Sequence, residues 1–213
     1  MRLQDKVAVI TGAAQGIGLG IAQRFSKEGA RVMMLDVNED VGARAAADIS
    51  GARFFCTDIS DKAAVDSTVN EIIADAGRID ICVNNAGILR SGEVLEVSEE
   101  DFDKVLSVNL KGAFLMSQAT GRHMVAAGGG SIINMSSVNG VMTIPNILPY
   151  NVSKGGLDQL TRVMAVALAD KHVRVNAIGP GSILTEMLQQ VMTDDSKRHA
   201  ILSRTPMGRC GDV

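Results

Sequence analysis

The chain has 213 residues, 46% of them apolar and 21% charged, with a formal net charge of −3. That is the length of one large domain with enough apolar content for a sizeable core, which excludes a disordered, collagenous or fibrous chain. No basic block stands out and Trp is absent, so nucleic acid and acidic membrane surfaces are not expected partners.

Residues 6–11 (KVAVIT) are an apolar, β-branched run that reads as a strand. Glycines at 12, 16, 18 and 20 follow, then the apolar stretch 21–25 and a stop at Gly29, which reads as turn and helix. Residues 31–36 are a second strand, and Asn38 is placed to cap a helix through the Ala-rich stretch 43–49. Residues 52–57 are a third strand, followed by a helix over 61–76 closed by Gly77. Residues 79–83 are a fourth strand that runs into Asn84-Asn85-Ala86-Gly87. Ser98 opens one long helix to residue 127, and residues 131–135 are a fifth strand. A long helix over 150–170, a sixth strand over 173–178 and a helical lid over 185–198 complete the series. Apolar strands without strict alternation, each followed by a helix, predict an α/β fold with a doubly wound parallel sheet of Rossmann type. No linker or repeat divides it, so residues 1–213 are read as a single domain.

Cys56, Cys82 and Cys210 lie far apart, no C-x-x-C occurs, and the three His are scattered. No metal site and no disulfide framework is expected, and Cys82, in an apolar run, reads as a small core residue. The first ten residues carry Arg2, Asp5 and Lys6 and do not read as a signal peptide. No apolar stretch reaches the ~18 residues of a membrane span. A cytoplasmic protein is expected.

Gly12, Gly16 and Gly18 stand between the first strand and the first helix. Glycines there let backbone N–H groups approach a diphosphate, and the helix N-terminus adds partial positive charge. Asp36 ends the second strand, where a carboxylate accepts hydrogen bonds from the adenosine ribose and repels a 2′-phosphate. The turn carries Gln15 rather than a basic residue, so NAD is expected over NADP.

Tyr150 and Lys154 are four apart on a helix and share a face. An ammonium ~5 Å from the phenol, at an effective dielectric of ~20, is worth ~3 kcal/mol. That predicts a phenol pKa lowered by roughly two from its usual ~10, making Tyr150 an acid–base near neutral pH. Ser137 ends the fifth strand, where its hydroxyl can orient a substrate oxygen.

These residues resemble the short-chain dehydrogenase/reductase family in its compact form. The matching positions are Thr11-Gly12-x-x-x-Gly16-Ile17-Gly18, Asp58, Asn84-Asn85-Ala86-Gly87, Asn109, Ser137, Tyr150-x-x-x-Lys154 and Pro180-Gly181-x-x-x-Thr185. The resemblance implies hydride transfer between a nicotinamide and an alcohol or carbonyl. It makes Tyr150 the general acid/base, with Lys154 tuning it and holding the nicotinamide ribose. Ser137 positions the substrate oxygen, and Asn109 holds a water in a proton relay. Asp58 and Ile59 would meet the adenine, Asn85, Ala86 and Gly87 would line the cofactor, and Pro180, Gly181, Ile183 and Thr185 would fix the carboxamide. Family members continue past residues 206–209 with another helix and an edge strand, so the C-terminal end of the fold is expected to be missing.

The leading expectation is an NAD-dependent oxidoreductase interconverting a secondary alcohol and a ketone. One alternative is an NAD-binding sensor or scaffold without turnover, which the intact Ser137, Tyr150 and Lys154 oppose. Another is a nucleotide-sugar epimerase or dehydratase, which the short chain opposes. Leu89, Arg90, Asn139, Val141, Ile147 and Met187 are candidate pocket residues, a mixed set that leaves the small-molecule substrate open. The helices over 99–127 and 150–170 carry apolar residues around more than one ~100° stripe. With the resemblance, that predicts a homodimer or homotetramer.

Overall fold

The strands and helices alternate along the chain. β1 (Val7–Thr11), α1 (Gly16–Lys27), β2 (Arg31–Asp36), α2 (Glu39–Ala47), β3 (Ala52–Cys56), α3 (Lys62–Ala76) and β4 (Ile81–Asn84) form the first part. α4 (Glu99–Leu106), α5 (Ala113–Ala126), β5 (Gly130–Met135), α6 (Leu148–Leu168), β6 (Val173–Ile178), α7 (Glu186–Met192) and α8 (Asp195–Leu202) form the second. The computed structural model describes the backbone of residues 1–213 and every side chain except those of Met187, Gln190 and Val191.

All strand pairs are parallel, in the order β3-β2-β1-β4-β5-β6. The strands are apolar without alternation because both faces are covered. Val7 and Val9 of β1 join Met33, Leu35, Cys82, Leu115 and Met116 on the α3/α5 face. Their neighbours Ala8 and Ile10 join Val32, Met34, Ala22 and Ala46 on the α1/α2 face. The chain enters at β1, builds outward to β3, then returns to lay β4 on β1's other edge. That reversal leaves a crevice at the C-terminal ends of β1 and β4, where ligands of such sheets bind.

Local signals set the helix ends. Asn38, Asp61 and Ser98 accept backbone N–H bonds from Val41, Ala63 and Asp101, each satisfying a donor that the first turn leaves orphaned. Gly77 closes α3 at φ 74°, a left-handed conformation that glycine adopts without steric cost.

One expectation is corrected. The single helix over residues 98–127 is α4 and α5 joined by a π-helical turn, Ser107–Gly112. Residues 185–198, expected as a helical lid, fall in two short helices, α7 and α8. Among the described residues no helix is long and apolar enough to cross a membrane.

Candidate active site

The turn after β1 is a backbone cradle. Gly12 and Gly16 sit at φ 62° and 54°, in the region L side chains rarely adopt. A Cβ on Gly18 would stand 2.1 Å from the Gly12 carbonyl oxygen, so only glycine lets helix and strand meet there. The Asn85 side chain donates to the Thr11 and Gly12 carbonyls at 3.0 Å each. The Thr11 hydroxyl accepts from Asn85 and Ala86 N–H, also at 3.0 Å. These bonds tie the end of β4 to the turn, and the first turn of α1 has no capping side chain on its amides. Residues 11–18 include no charged side chain, so the cradle attracts anions through peptide dipoles alone. Open glycine backbone, orphan amides and an acid at the end of β2 fit a dinucleotide.

Asp36 accepts from Ala14 N–H at 3.1 Å and Asn38 N–H at 3.0 Å. Both oxygens are thereby anchored beside the turn. Gln15 precedes α1, exposed and in extended conformation, without a capping side-chain bond. Ile17, partly buried, packs on the α1/α2 core face. Asp58 has its carboxyl held below the usual range, chiefly by the Ser60 hydroxyl, with Ser60 N–H and the charges of Lys104 and Lys111 adding to it. Ile59 does not turn its side chain to the crevice. It is buried in the core, and a Cβ on Gly112 would stand 2.6 Å from its Cδ1. Only its backbone is left to meet an adenine.

The second cluster forms where α6 passes the end of β5. Lys154 is 4% exposed, and its Nζ donates to the Met135 carbonyl at 2.7 Å. It lies 5.5 Å from the centroid of the Tyr150 ring. Burial lowers its pKa to about 8, while the charge of Asp158 opposes that change. A Cβ on Gly87 would stand 3.7 Å from Nζ and 3.4 Å from Asn109 Oδ1. Gly12 in turn abuts Ala86, so contacts run unbroken from the cradle to Lys154. The Tyr150 phenol departs from its expected behaviour. Burial raises its pKa, and a hydrogen bond with Ser137 opposes that only in part. The ammonium that was expected to lower it is bound to a carbonyl and is itself only weakly basic.

Asn109 sits in the π turn, 1% exposed. Its Oδ1 accepts from Ile88 N–H at 2.8 Å, and its Nδ2 donates to the Ile88 carbonyl at 2.9 Å and to Ser153 Oγ at 3.1 Å. Ser153 donates onward to the Tyr150 carbonyl at 2.8 Å. The segment after β6 closes the far side. The Pro180 carbonyl accepts from Val138 N–H at 3.1 Å, beside Ser137. Gly181 is exposed with nothing near its Cβ position, and Ile183 bridges Gly211. Thr185 reaches back to the cradle, its Cγ2 at 3.2 Å from a Cβ on Gly16.

A groove of about 460 Å³ opens beside Ser137, lined by Val138, Val141, Met142, Asp158 and Arg162 among others. Of the candidate pocket residues, Val141 lines it. Leu89 is exposed, Asn139 is half-buried with its N–H donating to Ser137 Oγ at 3.1 Å, Ile147 is buried, and Arg90 is exposed and paired with Asp101 at 3.3 Å. The Met187 side chain lies outside the described ones. No group of His, Cys, Asp or Glu among the described residues is arranged to hold a metal ion. Sequence reasoning missed Ser153 and the Met135 carbonyl. The available signal for Ser153 was a polar residue three after Tyr150 on a buried helix face.

A family model described as enoyl-(acyl carrier protein) reductase matches residues 12–213. The D-threitol dehydrogenase of Mycolicibacterium smegmatis is 39% identical over 212 residues, covering 98% of this chain and 81% of that protein. The 3-oxoacyl-[acyl-carrier-protein] reductase of Thermotoga maritima is 39% identical over 215 residues, covering 99% and 87%. The crystal structure of an NAD+-bound xylitol dehydrogenase superposes with a TM-score of 0.95 at 33% identity, covering 100% of this chain and 89% of that one. With a parallel sheet in this strand order, a glycine cradle and a Tyr-Lys pair beside it, the chain belongs to the short-chain dehydrogenase/reductase family of oxidoreductases.

Proposed function

We propose that the protein interconverts a secondary alcohol and a ketone with NAD(H), using Tyr150 as general acid/base. The observation that carries this reading is the continuous contact from Gly12 through Ala86 and Gly87 to Lys154, with Tyr150 and Ser137 at its end. Gly12, Gly16, Ile17, Gly18, Asn85, Ala86 and Gly87 would hold the diphosphate and ribose side, Asp36 the adenosine ribose, Asp58 and the Ile59 backbone the adenine. Pro180, Gly181, Ile183 and Thr185 would hold the carboxamide end. The bound cofactor supplies the hydride acceptor and a positive ring.

In the oxidative direction the Ser137 hydroxyl orients the substrate oxygen, and Tyr150 removes its proton. To accept that proton Tyr150 must first be the phenolate, which Lys154, its Nζ 5.5 Å from the ring centroid, stabilises, and the transfer leaves a neutral phenol. The ligand-free phenol is a weak acid because it is buried. The charge of a bound oxidised nicotinamide would push its pKa back down, which ties proton transfer to cofactor occupancy. Asn109 keeps the Ile88 backbone and Ser153 in place beside this pair and is the positioning residue for a water relay.

The anchored Asp36 carboxylate and the lack of a basic residue at Gln15 favour NAD over NADP. The polyol and acyl-carrier relatives both act at a CH–OH or C=O carbon, and the groove beside Ser137 mixes apolar and charged walls, which suits a small amphipathic alcohol. Three free thiols suit a reducing cytoplasm, and apolar faces on α5 and α6 suit a homodimer or homotetramer.

Tyr150→Phe tests the chemistry. It should lower kcat by 10²–10⁴-fold with NADH affinity within about twofold of wild type. Retention of more than about a tenth of the activity would exclude Tyr150 as the acid/base. In parallel, NADP should bind more weakly than NAD, and Asp36→Ala should narrow the gap.

A further inference from the structure

The mouth of the glycine cradle carries a negative charge. A Cβ on Gly16 would stand 3.3 Å from Glu186 Oε2, which places this carboxylate against the first residue of α1. Glu186 is the first residue of α7, directly after Thr185. It is exposed, and among the described residues no hydrogen bond or ion pair holds its carboxylate. The anion-binding face it touches has no Lys or Arg of its own between residues 11 and 18. Its attraction for an anion is that of a helix N-terminus, equivalent to roughly half an elementary charge. A full negative charge at the same place offsets that attraction, and a dinucleotide's diphosphate entering the cradle meets it head-on.

We propose that Glu186 sets the affinity for the cofactor by opposing its diphosphate. The carboxylate is displaced when the dinucleotide enters, α7 swings with it, and the repulsion that remains speeds release. The proposal rests on the reading of the cradle as a dinucleotide site. Its consequence differs from that of Asp36, which discriminates between two cofactors at the adenosine ribose. Glu186 acts on any ligand with a diphosphate and is blind to the 2′ position.

The device is one of charge, so a series in charge tests it. Wild type, Glu186→Gln and Glu186→Lys are titrated with NADH by fluorescence and with ADP-ribose by calorimetry, and NADH dissociation is followed by stopped-flow displacement. Affinity for both ligands should rise in that order, by roughly 3–10-fold for Gln, given one exposed charge at short range. The dissociation rate should fall alongside, and the gap between wild type and Gln should shrink as salt is raised to 0.5 M. Adenosine, which lacks a diphosphate, should bind all three alike. Equal or weaker binding by the Gln variant overturns the proposal while leaving the cofactor reading intact, as does a gap that salt does not change. A wild-type protein that binds neither NADH nor ADP-ribose overturns the cofactor reading and the proposal together.

Discussion

Lys154 is a cation that the fold buries at a cost. Its pKa, about 8 against an ordinary 10.5, has a direct thermodynamic consequence. Below pH 8 both folded and unfolded chains carry the proton, and the folded state bears the full desolvation cost. Between pH 8 and 10.5 the folded chain releases its proton while the unfolded chain keeps it, so stability rises with pH through that window. The span corresponds to about 3 kcal/mol at its full extent. Lys154→Met should be more stable than wild type at pH 7 and should lack this rise. Urea midpoints at pH 7 and 9.5 read it out, and parallel pH profiles for the two proteins would contradict it. At this scale much was legible in the sequence. The four-residue spacing placed Tyr150 and Lys154 on one face, and the glycines marked the cradle. The Met135 carbonyl that receives the ammonium was not legible, because any residue offers a carbonyl. The sign of the Tyr150 shift differs from the expectation because burial and the partner of Lys154 are properties of the packed site.

Among the elements, the π turn between α4 and α5 is the clearest departure from pattern. The stretch SVNLKG contains no proline and continues the helical periodicity on both sides, so the sequence reads as one helix. The cause lies elsewhere in the fold. Asn109 closes both polar groups of the Ile88 backbone, and π-helical turns commonly occur at functional sites. Asn109→Leu keeps the bulk and removes every partner of Ile88 and one of Ser153. Each buried group left unpaired costs about 1–3 kcal/mol, so the variant should lose at least ~2 kcal/mol of stability. A chemical denaturation series checks this, and a loss below about half a kcal/mol would mean that water replaces the amide. Helix ends, by contrast, were largely legible, because Asn38, Asp61 and Ser98 act through their own side chains within three residues.

For the whole molecule, the apolar faces of α5 and α6 bear on assembly. Val166 is 82% exposed, Val163 56%, Val152 42% and Phe114 41%. On α6 the three valines fall at spacings that follow one side of the helix, opposite the buried Leu157 and Thr161. The protein should therefore sediment as a dimer or tetramer at micromolar concentration, and Val163→Asp combined with Val166→Asp should dissociate it without unfolding. A monomer mass for wild type would reject this. The parallel sheet and its helices were legible from the alternation of runs. The meeting of Thr185 and Glu186 with Gly16 was not, since it joins segments about 170 residues apart that share no local signal.

The position of Cys82 in β4 makes it a clock for the molecule's opening. β4 pairs with β1, Val9 facing Cys82, across more than 70 positions of sequence. The thiol is fully buried, and desolvation raises its pKa to about 12, so it has neither access nor thiolate to react in the native state. Exposed Cys56 should react with a disulfide reagent at once. Cys82 should react only when the two halves of the sheet part, at a rate that tracks global unfolding across a denaturant series. Prompt modification of Cys82 in a Cys56→Ser, Cys210→Ser background would show that β4 opens on its own. Slow modification would make one side chain a report on the event that separates the two halves of the crevice.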